Sequence, residues 1–209
     1  MNSIKTIIKY ELIRYFLSPL AYVYLVGFLL LSGSCAIYFG HFFMDGHASL
    51  WGLFDYQPWI YLLFIPGIAM RSWAEEFHTK SIVQILTVPV SVTDLVWGKF
   101  LASWIFAIIA ILLTFPFWIT VNILGNPDNT VIIIGYLGCF ILAGAMLAIS
   151  QTMSALTKSP VIALVLGVFV NLLFFWSGFE YVLFWARELF SDVIAVSYTH
   201  LRAHETDQY

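Results

Sequence analysis

Charged side chains are scarce. Nine Lys and Arg and twelve Asp and Glu make up 10% of the 209 residues, against 61% hydrophobic. A water-soluble domain of this size carries about a quarter charged residues. With so few polar groups the chain cannot cover its apolar surface in water, and the excess has to face lipid. The net charge of −3 provides no basic surface for a nucleic-acid partner. The two cysteines, Cys35 and Cys139, each lie inside an apolar run. That placement argues against a disulfide framework or a metal knuckle, and both read as small buried thiols. No G-x-x-x-x-G-K-S/T sequence is present, so the chain has no phosphate-cradling loop of that form.

What the chain has instead is long apolar runs. Five are long enough to consider as membrane helices, given that about 20 residues cross the hydrocarbon: 20–39, 59–73, 101–124, 131–153 and 161–179. The second is short and carries Pro66-Gly67, which predicts a kink that neighbouring helices must satisfy. The first run is long and has no small-residue cleavage site, so it reads as a span and not as a cleaved signal. The expected fold is therefore all-α and polytopic, with five membrane helices.

Lys and Arg set the orientation. Lys5, Lys9 and Arg14 precede the first run, Arg71, Lys80 and Lys99 lie at or between the second and third, and Lys158 lies between the fourth and fifth. Of the eight that precede residue 196, Arg187 alone falls on the other side. The pattern predicts a cytoplasmic N-terminus in a plasma membrane. Trp73, Trp97 and Trp104 then fall at the inner interface and Trp59, Trp118 and Trp176 at the outer one, as an aromatic belt requires.

No ionisable residue lies in the interior of the five runs. Ion-coupled transporters use such groups as relays, so energy is expected to enter elsewhere. Asn122, Gln151 and Asn171 are the strongly polar intramembrane residues. Each could bond to another helix or line a translocation path. The loop after the first run holds His41, Met44, Asp45 and His47, types that bind metals. They have no helical or strand frame, and no metal site is expected.

Two segments are not spans. In 4–16 the residues Ile4, Ile7, Ile8, Leu12, Tyr15 and Phe16 share one helical face, with Lys5, Lys9 and Arg14 at or beyond its edges. This predicts a helix lying in the inner interface, with its basic residues near anionic headgroups. Ser18-Pro19 turns the chain into the membrane. Glu11 sits within the apolar face, where it could pair with Arg14 at i,i+3 or meet a cation on another segment. The second segment, 74–98, is the longest cytoplasmic connection and holds Glu75, Glu76, His78, Lys80, Gln84 and Asp94. Ser91-Val92-Thr93-Asp94 has the form of a capping box and should start the third span. The stretch before it, 74–86, can form a short exposed helix.

Three strings carry a resemblance: Met70-Arg71-Ser72-Trp73-Ala74-Glu75-Glu76, Thr87-Val88-Pro89-Val90-Ser91, and Trp97-Gly98-Lys99-Phe100-Leu101-Ala102. Together they resemble the signature of ABC-2 type permeases. Lys9-Tyr10-Glu11-Leu12 and Tyr15-Phe16-Leu17-Ser18-Pro19 are similar to the same family, especially its gliding-motility and nitrous-oxide-reductase-maturation branches. The chain departs from the pattern where Phe77 replaces a basic residue, Lys80-Ser81 replaces Gly-Thr and Val83 replaces glutamate. The resemblance implies six spans, an N-terminal interfacial helix involving Lys9, Glu11 and Arg14, and a coupling helix between the second and third spans. It also implies pairing with a second permease subunit, identical or not, and docking on a separate ATPase that binds the ATP. This chain would bind no cofactor of its own. Ala74, Glu75, Glu76, Lys80, Thr87 and Pro89 would form the coupling segment of an exporter.

The last residues break character. Val196 to Thr206 looks like the in-frame translation of a transposon-type sequencing adaptor, so 1–195 is taken as the permease domain and 196–209 as non-native. A sixth span is expected beyond it. Two other classes compete with the exporter subunit. An integral-membrane enzyme would have to use Glu75, Glu76 and His78, and a membrane scaffold would need no chemistry. An ATPase encoded beside this chain would separate the exporter from both.

Overall fold

A computed structural model describes residues 2–39, 50–81 and 91–177. Helices account for nearly all of these, and no β-strand occurs among them. In order they are α1 (Asn2–Leu17), α2 (Pro19–Ser34) with a π-helical extension (Cys35–Phe39), α3 (Trp51–Ala69) and α4 (Ala74–His78). They continue with α5 (Val92–Leu112), α6 (Phe115–Leu124), α7 (Asn129–Leu156) and α8 (Pro160–Ser177). The chain divides into units 1–171 and 172–209. Of the second, the described residues are the last turns of α8, where Ser177 donates to the Phe174 carbonyl at 2.6 Å.

Local sequence explains most of the boundaries. Pro19 takes the first turn of α2, where its missing N–H costs nothing, and Ser18 before it is extended. Ser91 Oγ accepts the Asp94 N–H at 3.1 Å, the bond that the capping sequence predicts. Asp128 caps α7 through the Thr130 N–H. The expected third span, 101–124, is broken at Leu113 and Thr114 into α5 and α6. The cause is Pro116, whose ring excludes the carbonyl four residues back. Thr114 Oγ1 donates to the Ile111 carbonyl at 2.6 Å and so satisfies part of the broken turn.

Four segments are long and apolar enough to cross a membrane: Pro19–Phe39, Val92–Leu124, Asn129–Leu156 and Pro160–Ser177. This is an all-α polytopic membrane protein. The second expected span, 59–73, overlaps the C-terminal half of α3, which starts at Trp51, within what reads as the loop after the first run. Asp55 and Gln57 lower the hydropathy of its first half. Eleven of its 19 residues are buried, largely against α2 and α7, so α3 is an interior helix more than a lipid-facing one. By contrast, α8 leaves Val161, Val165 and Phe169 exposed on an apolar surface that fits lipid.

The amphipathic helix α1 also departs from expectation. Its apolar face packs on the first half of α5. Tyr15 stacks on Phe106 with centroids 5.2 Å apart, and Phe16 meets the same ring edge-on at 5.6 Å. Tyr10, Ile13 and Leu17 form the exposed apolar side, with Lys5 and Lys9 also exposed. The α1–α5 crossing is close because position 98 is glycine. A Cβ there would lie 2.5 Å from Ile7 Cγ2 and 2.9 Å from Ile7 Cβ, atoms too near the backbone to swing away.

Gly98→Ala should therefore overpack the α1–α5 contact and destabilise the protein by about 1–3 kcal/mol. Gly138→Ala, where nothing lies within 4 Å of the added methyl, serves as the control. Thermal unfolding in detergent compares the two, and equal stability would show that α1 is not seated as described.

Candidate functional site

The described residues gather their buried charge in one place, where α1, α3, α4 and α5 meet. Lys99 lies two turns into α5 and is 1% exposed. Its ammonium donates to Glu76 Oε1 of α4 at 2.5 Å, to Glu11 Oε1 of α1 at 2.7 Å and to the Ser72 carbonyl at 3.2 Å. An ammonium has three N–H groups, and here each has an acceptor. Glu76, also 1% exposed, accepts a second bond from Arg14 Nη1 at 2.7 Å on the same oxygen. Arg14 also lies 3.7 Å from Glu11, while Arg71 donates to Glu75 at 3.0 Å and to Ser18 Oγ at 2.8 Å. Three cations (Arg14, Arg71, Lys99) face three carboxylates (Glu11, Glu75, Glu76), so the cluster is electrically balanced.

A polar shell surrounds it. Tyr15 Oη lies 3.0 Å from Ser103 Oγ, which itself donates to the Lys99 carbonyl. Gln151 of α7 donates to Ser103 Oγ at 3.0 Å. Burial pushes the Tyr15 phenol up to about 12, so this hydroxyl stays protonated. Half-burial works against the charge of Arg14. Its bond to Glu76 and the nearby Glu11 and Glu75 outweigh that cost and leave its pKa raised. The Lys99 ammonium also sits 5.3 Å from the centre of the Trp73 ring, within cation–π range.

Helix α4 is held from outside itself. It has five residues, too few to persist alone, and Trp73 at its start supplies no side-chain cap. Ser154 of α7 takes over that function, with its Oγ accepting the N–H of Ala74 at 3.0 Å and of Trp73 at 3.3 Å. At the other end Lys80 adopts φ 58°, the left-handed region, at the position where the resembled pattern carries glycine. An open apolar groove of ≈ 480 Å³ runs beside α4, lined by Trp73, Phe77, Trp97 and Phe100 among others.

Several expectations change here. The short helix expected over 74–86 covers Ala74–His78, and residues 82–90, with Thr87 and Pro89, lie outside the described residues. Glu76, expected on a docking surface, points into the bundle. Glu75 is partly exposed and paired, whereas His78 and Lys80 are exposed. Both alternatives for Glu11 hold at once, with Lys99 the closer partner. Lys9 stays exposed. Asn171 is fully buried and donates to Ser150 Oγ at 2.6 Å, and Gln151 is buried in the shell just described. Both bond other helices. Asn122 is exposed and pairs with Asn129 across the α6–α7 turn, outside any interior. His41, Met44, Asp45, His47 and the 196–209 tail lie outside the described residues. Among the described residues no group of three or more His, Cys, Asp and Glu could hold a metal ion.

Sequence reasoning missed the centre of the site, having counted Lys99 as one more inside-positive loop charge. Two signals pointed to it: an acid within the apolar face of α1, and a lysine opening an otherwise uncharged span.

The family model described as ABC-2 family transporter protein matches residues 53–197, more than half of the chain, from the first turn of α3 through α8. No curated protein and no solved structure matches.

Removing one partner of a buried pair leaves an uncompensated charge, at a cost of about 3–5 kcal/mol. Lys99→Met should pay that cost, since Glu11 and Glu76 would keep Arg14 as their remaining cation. The charge-balanced Lys99→Met/Glu76→Gln should recover most of the loss. Denaturant unfolding in detergent measures both, and a fully stable Lys99→Met would contradict the described cluster.

Proposed function

Because the chain belongs to the ABC-2 transporter family, we propose that it is the membrane-spanning permease subunit of an ATP-driven exporter, coupled through α4 to a separate ATPase. The observation that carries this reading is α4 itself. It is a short helix between two long apolar ones, its outer edge exposed and its inner edge tied into the bundle by charge. A helix so placed can accept a push from a partner and pass it inward as rigid-body movement. The ATPase supplies binding and hydrolysis of ATP. This chain supplies the docking edge and the path through the membrane.

The permease domain is taken as 1–195, in the bacterial inner membrane, with α1 and α4 on the cytoplasmic side and a second permease subunit completing the path. The charge asymmetry of the sequence supports this orientation. Cysteine labels at Ser3 or Ser81 should be shielded from an impermeant reagent in sealed cells, and labels at Ser49 or Asn129 should react. Reaction at Ser81 would reverse the topology.

The docking edge is His78 to Ser81 together with the exposed rim of Glu75. Reversing Glu76 would break the cluster and so would not test docking. His78→Glu/Lys80→Glu, which leaves the cluster intact, should weaken ATPase association with permease-containing membranes at least about tenfold, or ~1.4 kcal/mol. Co-sedimentation of the co-expressed ATPase reads this out. Undiminished association, with normal permease levels, would discard α4 as the docking helix.

A further inference from the structure

Resting on that reading, we propose that Lys99 is a positioning residue that makes the interfacial helix α1 part of the coupling unit, so that α1, α4 and α5 move together when the ATPase acts. The inference starts from what α4 cannot do. Five residues form little more than one turn, so α4 transmits load only through its fixed contacts. Among the described residues those contacts are few. Ser154 holds its first N–H groups by neutral bonds of 3.0–3.3 Å, and Arg71 holds Glu75 locally. Glu76 carries the short charged bonds from α4 to two other helices, to Arg14 on α1 and to Lys99 on α5, while Glu75 adds a longer pair to Arg14 at 3.8 Å.

The Lys99 nitrogen closes the loop. Its acceptors come from α1, from the Ser72 carbonyl that precedes α4, and from α4 itself. If α4 moved away from α1 or α5, at least one of these N–H groups would be left unpaired away from water, which is costly. Movement of the three as one body keeps all of them. The glycine beside Lys99 serves the same end, because it lets α1 approach closely enough for Glu11 to reach the ammonium. Two roles are therefore possible for the cluster: a static neutralisation of buried charge, or a mechanical joint. They differ in what happens when charge balance is kept and the joint is lost.

Two variants do this. Lys99→Met/Glu76→Gln removes every bond through Lys99 and leaves Arg14 with Glu11 and, at 3.8 Å, Glu75, which also keeps Arg71. Glu11→Gln/Arg14→Gln removes the α1 side alone and leaves Lys99 on Glu76, so the test survives if the first variant fails to fold. Spin labels replace Lys9 on α1 and Ser81 after α4, with Cys35 and Cys139 changed to serine. The permease is reconstituted with its ATPase, and the label distance is measured without nucleotide and with ATP and vanadate. With the cluster intact, the Lys9–Ser81 distance should be the same in both states. In either balanced variant it should shift or broaden on trapping, and permease-dependent ATP hydrolysis should fall about tenfold, within the usual range of coupling factors. A shift of more than about 5 Å, one helical turn, with the cluster intact would overturn the joint. Balanced variants that behave like the unsubstituted protein would also overturn it, and leave the cluster a static one. If no ATPase associates with the unsubstituted permease, the exporter reading itself falls, and the joint with it.

Discussion

The Lys99 ammonium and the carboxylates of Glu11 and Glu76 are the interaction on which the rest of this end of the bundle depends. Moving a charge out of water costs several kcal/mol, and mutual attraction repays it only when the geometry is complete. Here it is complete for the lysine, whose three donors each have an acceptor. That requirement constrains four pieces of chain at once. Helix α1 must bring Glu11 inward, the turn after α3 must offer the Ser72 carbonyl, α4 must face Glu76 to the interior, and Gly98 must let α1 approach.

Buried ion pairs are weak sources of net stability, and apolar replacements of equal volume often do as well. What such a cluster supplies is register. An apolar contact between α1 and α5 could slide by a turn at little cost, because one aliphatic surface fits another about as well. A lysine that needs two particular carboxylates cannot. The surrounding bonds of Tyr15, Ser103 and Gln151 extend the same restriction to α7. Ser154 extends it to the start of α4, which has no cap of its own.

The apolar helices follow another rule. In lipid every backbone group must be satisfied within its own segment, so long uninterrupted helices form wherever the sequence is apolar enough. Breaks occur where proline forbids the next bond. Pro116 separates α5 from α6, and Thr114 repairs part of the break with its side chain. Between helices, where lipid offers no contrast in polarity, small polar contacts such as Asn171 to Ser150 bond one helix to another.

The sequence by itself determined the all-α membrane class, four of its five expected spans as long apolar helices, the helix starts at Ser91 and Pro19, and an amphipathic first helix, because composition, period and capping are local properties of the chain. It also marked Glu11 as out of place in an apolar face. It did not show that α1 would spend that face on α5, that α3 would begin eight residues earlier and lie inside the bundle, or that α4 would be five residues long. Glu76 and Lys99 illustrate why. They are 23 residues apart and both look like solvent-side charges, and nothing local distinguishes a glutamate facing water from one facing a lysine. That distinction arises when α1, α4 and α5 are packed together, because burial turns a charge that water would screen into one that must find its partner.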